Sequence, residues 1–156
     1  MEMMINTFGW QDDTEVEQQS FLQFYVGQQS FAIDLQEVIE ISKPLPITRT
    51  QTVHPFIQGV TDIRGEVVPV IELAQAFSYP QEKPDERERF IITSYEEQKV
   101  AFRVQEVAQI IFVNKAKITT EVREEHLTPY VGGSFTHGEV ELFIVQKEKL
   151  WDAIEH

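Results

Sequence analysis

The chain has 156 residues, of which 26 are acidic and 13 basic, for a formal net charge of −13. That length allows one domain or two very small ones, and the charge disfavours nucleic acid and anionic lipid as partners, since both are densely negative. The absence of cysteine removes disulfides, thiolate chemistry and every cysteine-based zinc site.

The first 19 residues, "MEMMINTFGWQDDTEVEQQ", are acidic and lack the basic start and apolar core of a signal peptide. They read as a mobile acidic arm. No apolar run approaches the roughly 18 residues that cross a bilayer. The expected location is the cytoplasm, without direct membrane insertion.

From residue 20 the chain reads as short strands. "FLQFYVG" and "SFAIDL" are aromatic and β-branched, with "GQQ" between them as a turn. "GVTDI" and "EVVPVIEL" form a second pair about Arg64-Gly65, where Gly65 can take a positive φ without a Cβ clash. Pro69 cannot donate a ladder hydrogen bond, so it is expected on an edge strand or at a bulge. Helix is limited to a turn at 55–58, a short piece at 73–77, a turn at 125–130 and a C-terminal helix over 147–154. The segment "SYPQEKPDERER" (78–89) has two prolines and many charges and reads as a surface linker.

Past that linker the chain repeats itself. "FLQFYVGQQSFAIDLQEVIEI" (21–41) lies without a gap over "FIITSYEEQKVAFRVQEVAQI" (90–110). Phe21 falls on Phe90, Ala32 on Ala101, Gln36-Glu37-Val38 on Gln105-Glu106-Val107, and Ile41 on Ile110. A second block follows in the same order: "HPFIQGV" (54–60) resembles "TPYVGGS" (128–134), and "RGEVVPVIEL" (64–73) falls on "HGEVELFIVQ" (137–146) after one deletion. In that alignment His137 stands at the place of Arg64. Two copies of one β-rich unit predict an all-β protein of two small barrels: an arm over 1–19, a first barrel over 20–77, a linker over 78–89, a second barrel over 90–146 and a terminal helix over 147–156.

Little in the chain signals chemistry. The four histidines, His54, His126, His137 and His156, form no HxH or HExxH pair, so no metal site is indicated. His54 before Pro55 reads as a loop cap, and His126 as a surface or cap residue. The Gly132-Gly133 pair reads as a place of tight backbone packing. No GxSxG or phosphate loop is present. The residues point to no catalytic group, cofactor or metal.

The stretch "HPFIQGVTDIRGEVVPVIELAQAF" resembles the CheW-like coupling domain of bacterial chemotaxis, which also occurs in CheV and in the regulatory domain of the kinase CheA. That family carries Pro-x-hydrophobic-x-Gly-Val, then Asn-Leu-Arg-Gly, then Pro-Val-hydrophobic-Asp-Leu. Here these are Pro55 to Val60, Asp62-Ile63-Arg64-Gly65, and Pro69 to Leu73, with Asp62 and Glu72 replacing the usual Asn and Asp. "FAIDLQEVIEI" and "PLPITRT" upstream also fit. The resemblance runs from about Ser20 to Ile154. It implies two five-stranded SH3-like barrels about a pseudo-twofold, no catalysis, and a scaffold bridging the cytoplasmic tip of chemoreceptors to a CheA-type histidine kinase.

It also implies partner-binding roles for Arg64, Val38, Glu40, Thr48, Gly59 and Asp62. From the residues alone, Arg64 is either a presented partner contact or merely paired with Asp62 or Glu66 beside it. The alternatives are a CheV-like adaptor, an adaptor of pilus or gliding motility, or, more remotely, a ligand carrier or enzyme using a barrel groove.

Overall fold

The computed structural model describes residues 17–51, 54–81 and 83–155. The expected arm falls mostly on residues 1–16, outside the described residues. Its last two positions, Gln18 and Gln19, instead begin a strand.

Ten strands and two short helices make up the described chain. They are β1 (Gln18–Val26), β2 (Gln29–Asp34), β3 (Glu40–Ser42), β4 (Ile57–Ile63), β5 (Glu66–Glu72), α1 (Leu73–Ala76), β6 (Arg89–Tyr95), β7 (Gln98–Val104), β8 (Glu106–Asn114), β9 (Val131–His137), β10 (Val140–Val145) and α2 (Lys147–Glu155). The alternation of apolar and polar residues gives each strand a buried face, and tight turns join the hairpins.

The turns fall into two kinds. Arg64-Gly65 and Glu96-Glu97 have positive φ at both central residues, the type I′ pattern. At Gly27-Gln28 and Gly138-Glu139 only the glycine does, and there the turn needs glycine at one place alone.

The strands form two five-stranded sheets, in the orders β3-β6-β7-β5-β4 and β8-β1-β2-β10-β9. Each ladder in one has a counterpart in the other. The antiparallel pair β1–β2 matches β6–β7, and the parallel pair β2–β10 matches β7–β5. Two isolated bridges, Thr48↔Val60 and Thr119↔Ser134, bring the chain after β3 and after β8 onto the opposite sheet edge. Each sheet thereby closes into a small barrel, and the internal duplication appears as two barrels of the same pairing.

The barrels are not the contiguous halves that the repeat suggested. The hairpin β1–β2 from the first copy pairs with β8 and β10 of the second. The hairpin β6–β7 from the second copy pairs with β3 and β5 of the first. The expected boundaries at 20–77 and 90–146 therefore follow the repeat but cut across both sheets. We call the sheet holding β4 and β5 the first barrel and its twin the second.

Register also corrects the alignment of the second block. His137 is the last residue of β9 and pairs with Val140, as Ile63 pairs with Glu66. The structural equivalent of Arg64 is thus Gly138, and His137 corresponds to Ile63. Pro69 lies on β5, an interior strand rather than an edge. Its partner across the sheet is Val60, whose N–H and C=O both bond to Thr48. The β7 ladder begins only at Val70. A missing N–H at Pro69 therefore leaves no carbonyl of either ladder without its donor.

Three apolar clusters hold the chain. Phe21, Ala32, Ile111, Val113, Phe135 and Leu142 fill the second barrel. Ile63, Val68, Val70, Phe90, Ile92 and Ala101 fill the first. The largest cluster lies between the sheets and takes residues from both, including Phe24, Phe31 and Phe143 from one and Ile71, Ile91 and Phe102 from the other. Leu150 of α2, fully buried, seals one end of it.

The exchange of hairpins predicts that neither half folds alone. A fragment of residues 1–83 leaves β1–β2 without β8 and β10, and β5 without β7. Its amide spectrum is expected to be poorly dispersed and its unfolding non-cooperative. A dispersed, cooperatively melting fragment would contradict the pairing described above.

Candidate functional site

Arg64 and Glu40 meet although 24 residues separate them. Glu40 lies on edge strand β3 and Arg64 on the β4–β5 turn of the other edge, so barrel closure brings them together. The guanidinium donates twice to the carboxylate, Nη1 to Oε1 at 2.5 Å and Nη2 to Oε2 at 3.1 Å. This fork-on-carboxylate geometry is the one that arginine, unlike lysine, is shaped to make. The Arg64 side chain stays 70% exposed and that of Glu40 27%, so the pair sits at the surface. The hydrogen bond from Arg64 lowers the Glu40 pKa, and the same bond raises that of Arg64.

Neither neighbour expected to pair with Arg64 does so. Asp62 accepts the backbone N–H of Gly65 through Oδ1 at 2.8 Å and so braces the tight turn. Glu66 accepts from Lys99 Nζ at 3.0 Å. Asp62 fixes the turn that carries the guanidinium, and Glu40 fixes its direction.

Thr48 and Gly59 form a second group, at the seam that closes the first barrel. Thr48 exchanges both backbone hydrogen bonds with Val60, at 2.7 and 2.9 Å. A Cβ on Gly59 would lie 2.4 Å from the Thr48 carbonyl oxygen and 2.7 Å from Ile47 Cγ2, so only glycine lets the strands approach this closely. Gly133 does the same against Thr119 in the second barrel, with 2.5 Å to its carbonyl oxygen. That agrees with the tight-packing reading of Gly132-Gly133.

Val38 stands apart from both groups. It ends a single 3₁₀ turn over Leu35–Glu37, donates its N–H to the Leu35 carbonyl, and packs part-buried against the core between the barrels. His54 caps its loop as the sequence suggested, accepting the N–H of Phe56 at Nδ1. His126 meets the hydroxyl of Tyr79 at 3.1 Å through Nε2.

Sequence reasoning missed one feature of the surface. Large apolar side chains stand exposed on matching strands of both barrels: Ile39 and Ile41 at β3, Ile110 and Phe112 on β8, with Val67 on β5 and Val140 on β10. Ile41 pairs with Ile91 and Ile110 with Leu22, residues of the core between the sheets. These side chains therefore carry that apolar face outward into solvent. The signal was present in "VIEIS" and "AQIIF", where apolar residues recur on strands that end at a sheet edge. Among the described residues, no group of His, Asp and Glu is placed to hold a metal ion. None of their helices is long and apolar enough to cross a membrane.

Fold and site together define a pair of small barrels with an exposed ion pair and apolar side chains on their edge strands. The family model of the CheW-like domain matches residues 20–155, and the chain belongs to that family. It is 31% identical over 139 residues to the chemotaxis protein CheW of Klebsiella aerogenes, covering 88% of this chain and 84% of that one. It is 34% identical over 95 residues to CheW of Bacillus subtilis, covering 61% of each. The crystal structure of the scaffolding protein TtCheW from Thermoanaerobacter tengcongensis has the same fold, with a TM-score of 0.78 at 23% identity over 83% of this chain and 85% of that one.

Two outcomes follow from this geometry. Gly59→Ala forces the added methyl against backbone at the barrel seam and is expected to cost about 1–3 kcal/mol in a denaturant titration. The pH dependence has a definite sign. The Glu40 pKa is lowered in the fold, so its contribution is present above the unfolded value and is lost as pH falls through the folded one. Glu40→Gln is therefore expected to lower thermal stability slightly in the neutral range and to converge with the parent at acid pH, which shrinks the acid-side loss. Melting curves collected from neutral to acid pH check this.

Proposed function

We propose that this chain is a non-catalytic scaffold of chemotaxis signalling, coupling the cytoplasmic tip of chemoreceptors to the regulatory domain of a CheA-type histidine kinase. Membership of the CheW-like family supports the reading, as do the names of its relatives. The observation that carries it is the Arg64–Glu40 pair, an oriented and exposed guanidinium on a rigid turn. Such a group can exchange Glu40 for a carboxylate on a helical receptor tip at little desolvation cost.

A coupling protein also needs more than one contact surface. The exposed apolar side chains on β3 and on β8 lie on different barrels, and each supplies the apolar centre that a protein interface requires. In this reading Arg64 is the presented contact and Glu40 its holder. Asp62 sets the turn, Val38 belongs to the flank of the contact surface, and Thr48 with Gly59 shapes the barrel behind it.

The test is a titration of the chain with a receptor tip fragment, beside thermal melts of the same samples. Arg64→Ala is expected to leave the melt almost unchanged and to weaken binding about tenfold or more. Asp62→Asn keeps an oxygen that can accept the Gly65 N–H, and is expected to bind at least as well as the parent. Binding should weaken as salt is raised, because exposed charges are screened. If Arg64→Ala lowers the melting temperature strongly and leaves binding unaltered, the arginine is a brace and the assignment fails.

A further inference from the structure

A charged cleft of about 310 Å³ opens on the first barrel, under the linker between the two sequence copies. It lies within the range of small-molecule sites, ~300–1,000 Å³. Its lining includes Gln58, Glu72, Glu88 and Arg103 from the barrel side, and Arg49 and Lys83 from the two flanking loops.

The floor is unusual for a surface so close to water. The side chains of Glu72, Glu88 and Arg103 are only 14%, 13% and 14% exposed. Arg103 Nε donates to Glu88 at 2.8 Å and stands 3.6 Å from Glu72. Two carboxylates thus share one guanidinium, which leaves the triad one negative charge in excess. Glu72 has the weaker hold, with only a long hydrogen bond of 3.4 Å from the N–H of Ala74 besides. Burial raises its pKa. Lining the same cleft, the buried Gln58 Oε1 has no hydrogen-bond partner among the described residues. Gln58 is the extra residue of a bulge in the β4–β5 ladder, and bulges commonly re-aim a side chain. The floor therefore offers acceptors that lack a donor.

The rim has the opposite sign. Arg49 and Lys83 are exposed there, while the rim carboxylate Asp85 is already paired with Arg87 at 2.8 Å.

The second barrel shows that the fold does not require this arrangement. In the matching registers Asp34 stands for Arg103, Gln19 for Glu88, Gln146 for Glu72 and Gly132 for Gln58. There Asp34 accepts from Gln19 Nε2 at 2.9 Å, and the Gln146 side chain occupies the space beside Gly132, where a Cβ would fall within 2.1 Å of it. The twin has no buried charge triad and fills that space with its own glutamine.

We infer that the cleft is a binding site for a small zwitterion, such as a free α-amino acid, with its ammonium on Glu72 and Gln58 Oε1 and its carboxylate toward Arg49 and Lys83. An ammonium supplies the missing donors and cancels the excess charge of the floor. A carboxylate at the other end meets the two basic side chains of the rim. The inference is independent of the receptor-coupling role, since Arg64, Glu40 and Asp62 take no part in it.

The test uses the full chain, ¹⁵N-labelled, and pools of the common L-amino acids at millimolar concentration. At least one amino acid is expected to shift the amides of Gln58, Glu72, Ala74 and Arg103. For that amino acid, the N-acetyl derivative removes the ammonium and is expected to bind at least about tenfold more weakly, the usual scale of a charged hydrogen bond. The methyl ester removes the carboxylate and is expected to weaken binding less. Glu72→Gln should abolish the shifts while keeping the folded spectrum. Should that variant fail to fold, Arg49→Ala with Lys83→Ala tests the rim, and weakened binding of the free amino acid supports the site. No shift with any pool overturns the inference, as does equal binding of the N-acetyl derivative, or binding unchanged by the folded variants.

Discussion

The structure depends on one aromatic contact layer between two sheets that each borrow a hairpin from the other half of the chain. Phe31 is its centre. Its ring is 4.8 Å from that of Phe77, 5.9 Å from Phe24 and 6.2 Å from both Tyr79 and Phe143. These residues come from β2, the end of α1, β1, the linker and β10. Offset and edge-on pairs of this kind add to simple burial. Removing one such buried ring costs about 3–5 kcal/mol, a large share of the 5–15 kcal/mol that a domain has in all. The linker is thus no passive tether, because Tyr79 is part of the layer it spans. Either barrel alone is too small to bury a sufficient core, so the layer is what makes two small barrels one cooperative unit.

The rigidity of that layer bears on how the surface works. β3 and β8 present their exposed isoleucines as continuations of the same buried face. A partner that covers them extends an existing core instead of creating a new one. The ion pair at the β4–β5 turn is of a different kind. It is solvated, adds little to stability, and holds an arginine in one direction. Strength and presentation are thereby assigned to different residues. Gly59 and Thr48 belong to the first group, Arg64 and Glu40 to the second, and Asp62 joins them by fixing the backbone between.

Much of this was legible in the chain. The repeat, the hairpins and the turn glycines depend on neighbours in sequence, and local rules describe them well. The family motif marked Arg64 as well. What local rules could not supply was which hairpin joins which sheet, since the repeat is equally satisfied by contiguous or exchanged barrels. The partner of Arg64 was hidden for the same reason, because Glu40 becomes its neighbour only when the sheet closes. Pro69 looked like an edge residue until register showed that neither adjacent ladder needs its N–H. His137 was one place off because an alignment matches letters, whereas the ladder counts residues across a turn of a different type. The triad of Glu72, Glu88 and Arg103 likewise gathers from the end of β5, the end of the linker and β7, which no motif connects.

The exchanged topology has a consequence for the birth of the protein. Phe31 lies parallel to Phe143 in the finished sheet, so the second strand to leave the ribosome must wait for almost the last. At the usual ~5–20 residues per second, that wait lasts on the order of ten seconds, far longer than a hairpin takes to form. During it the aromatic faces of β1 and β2 have no sheet to join.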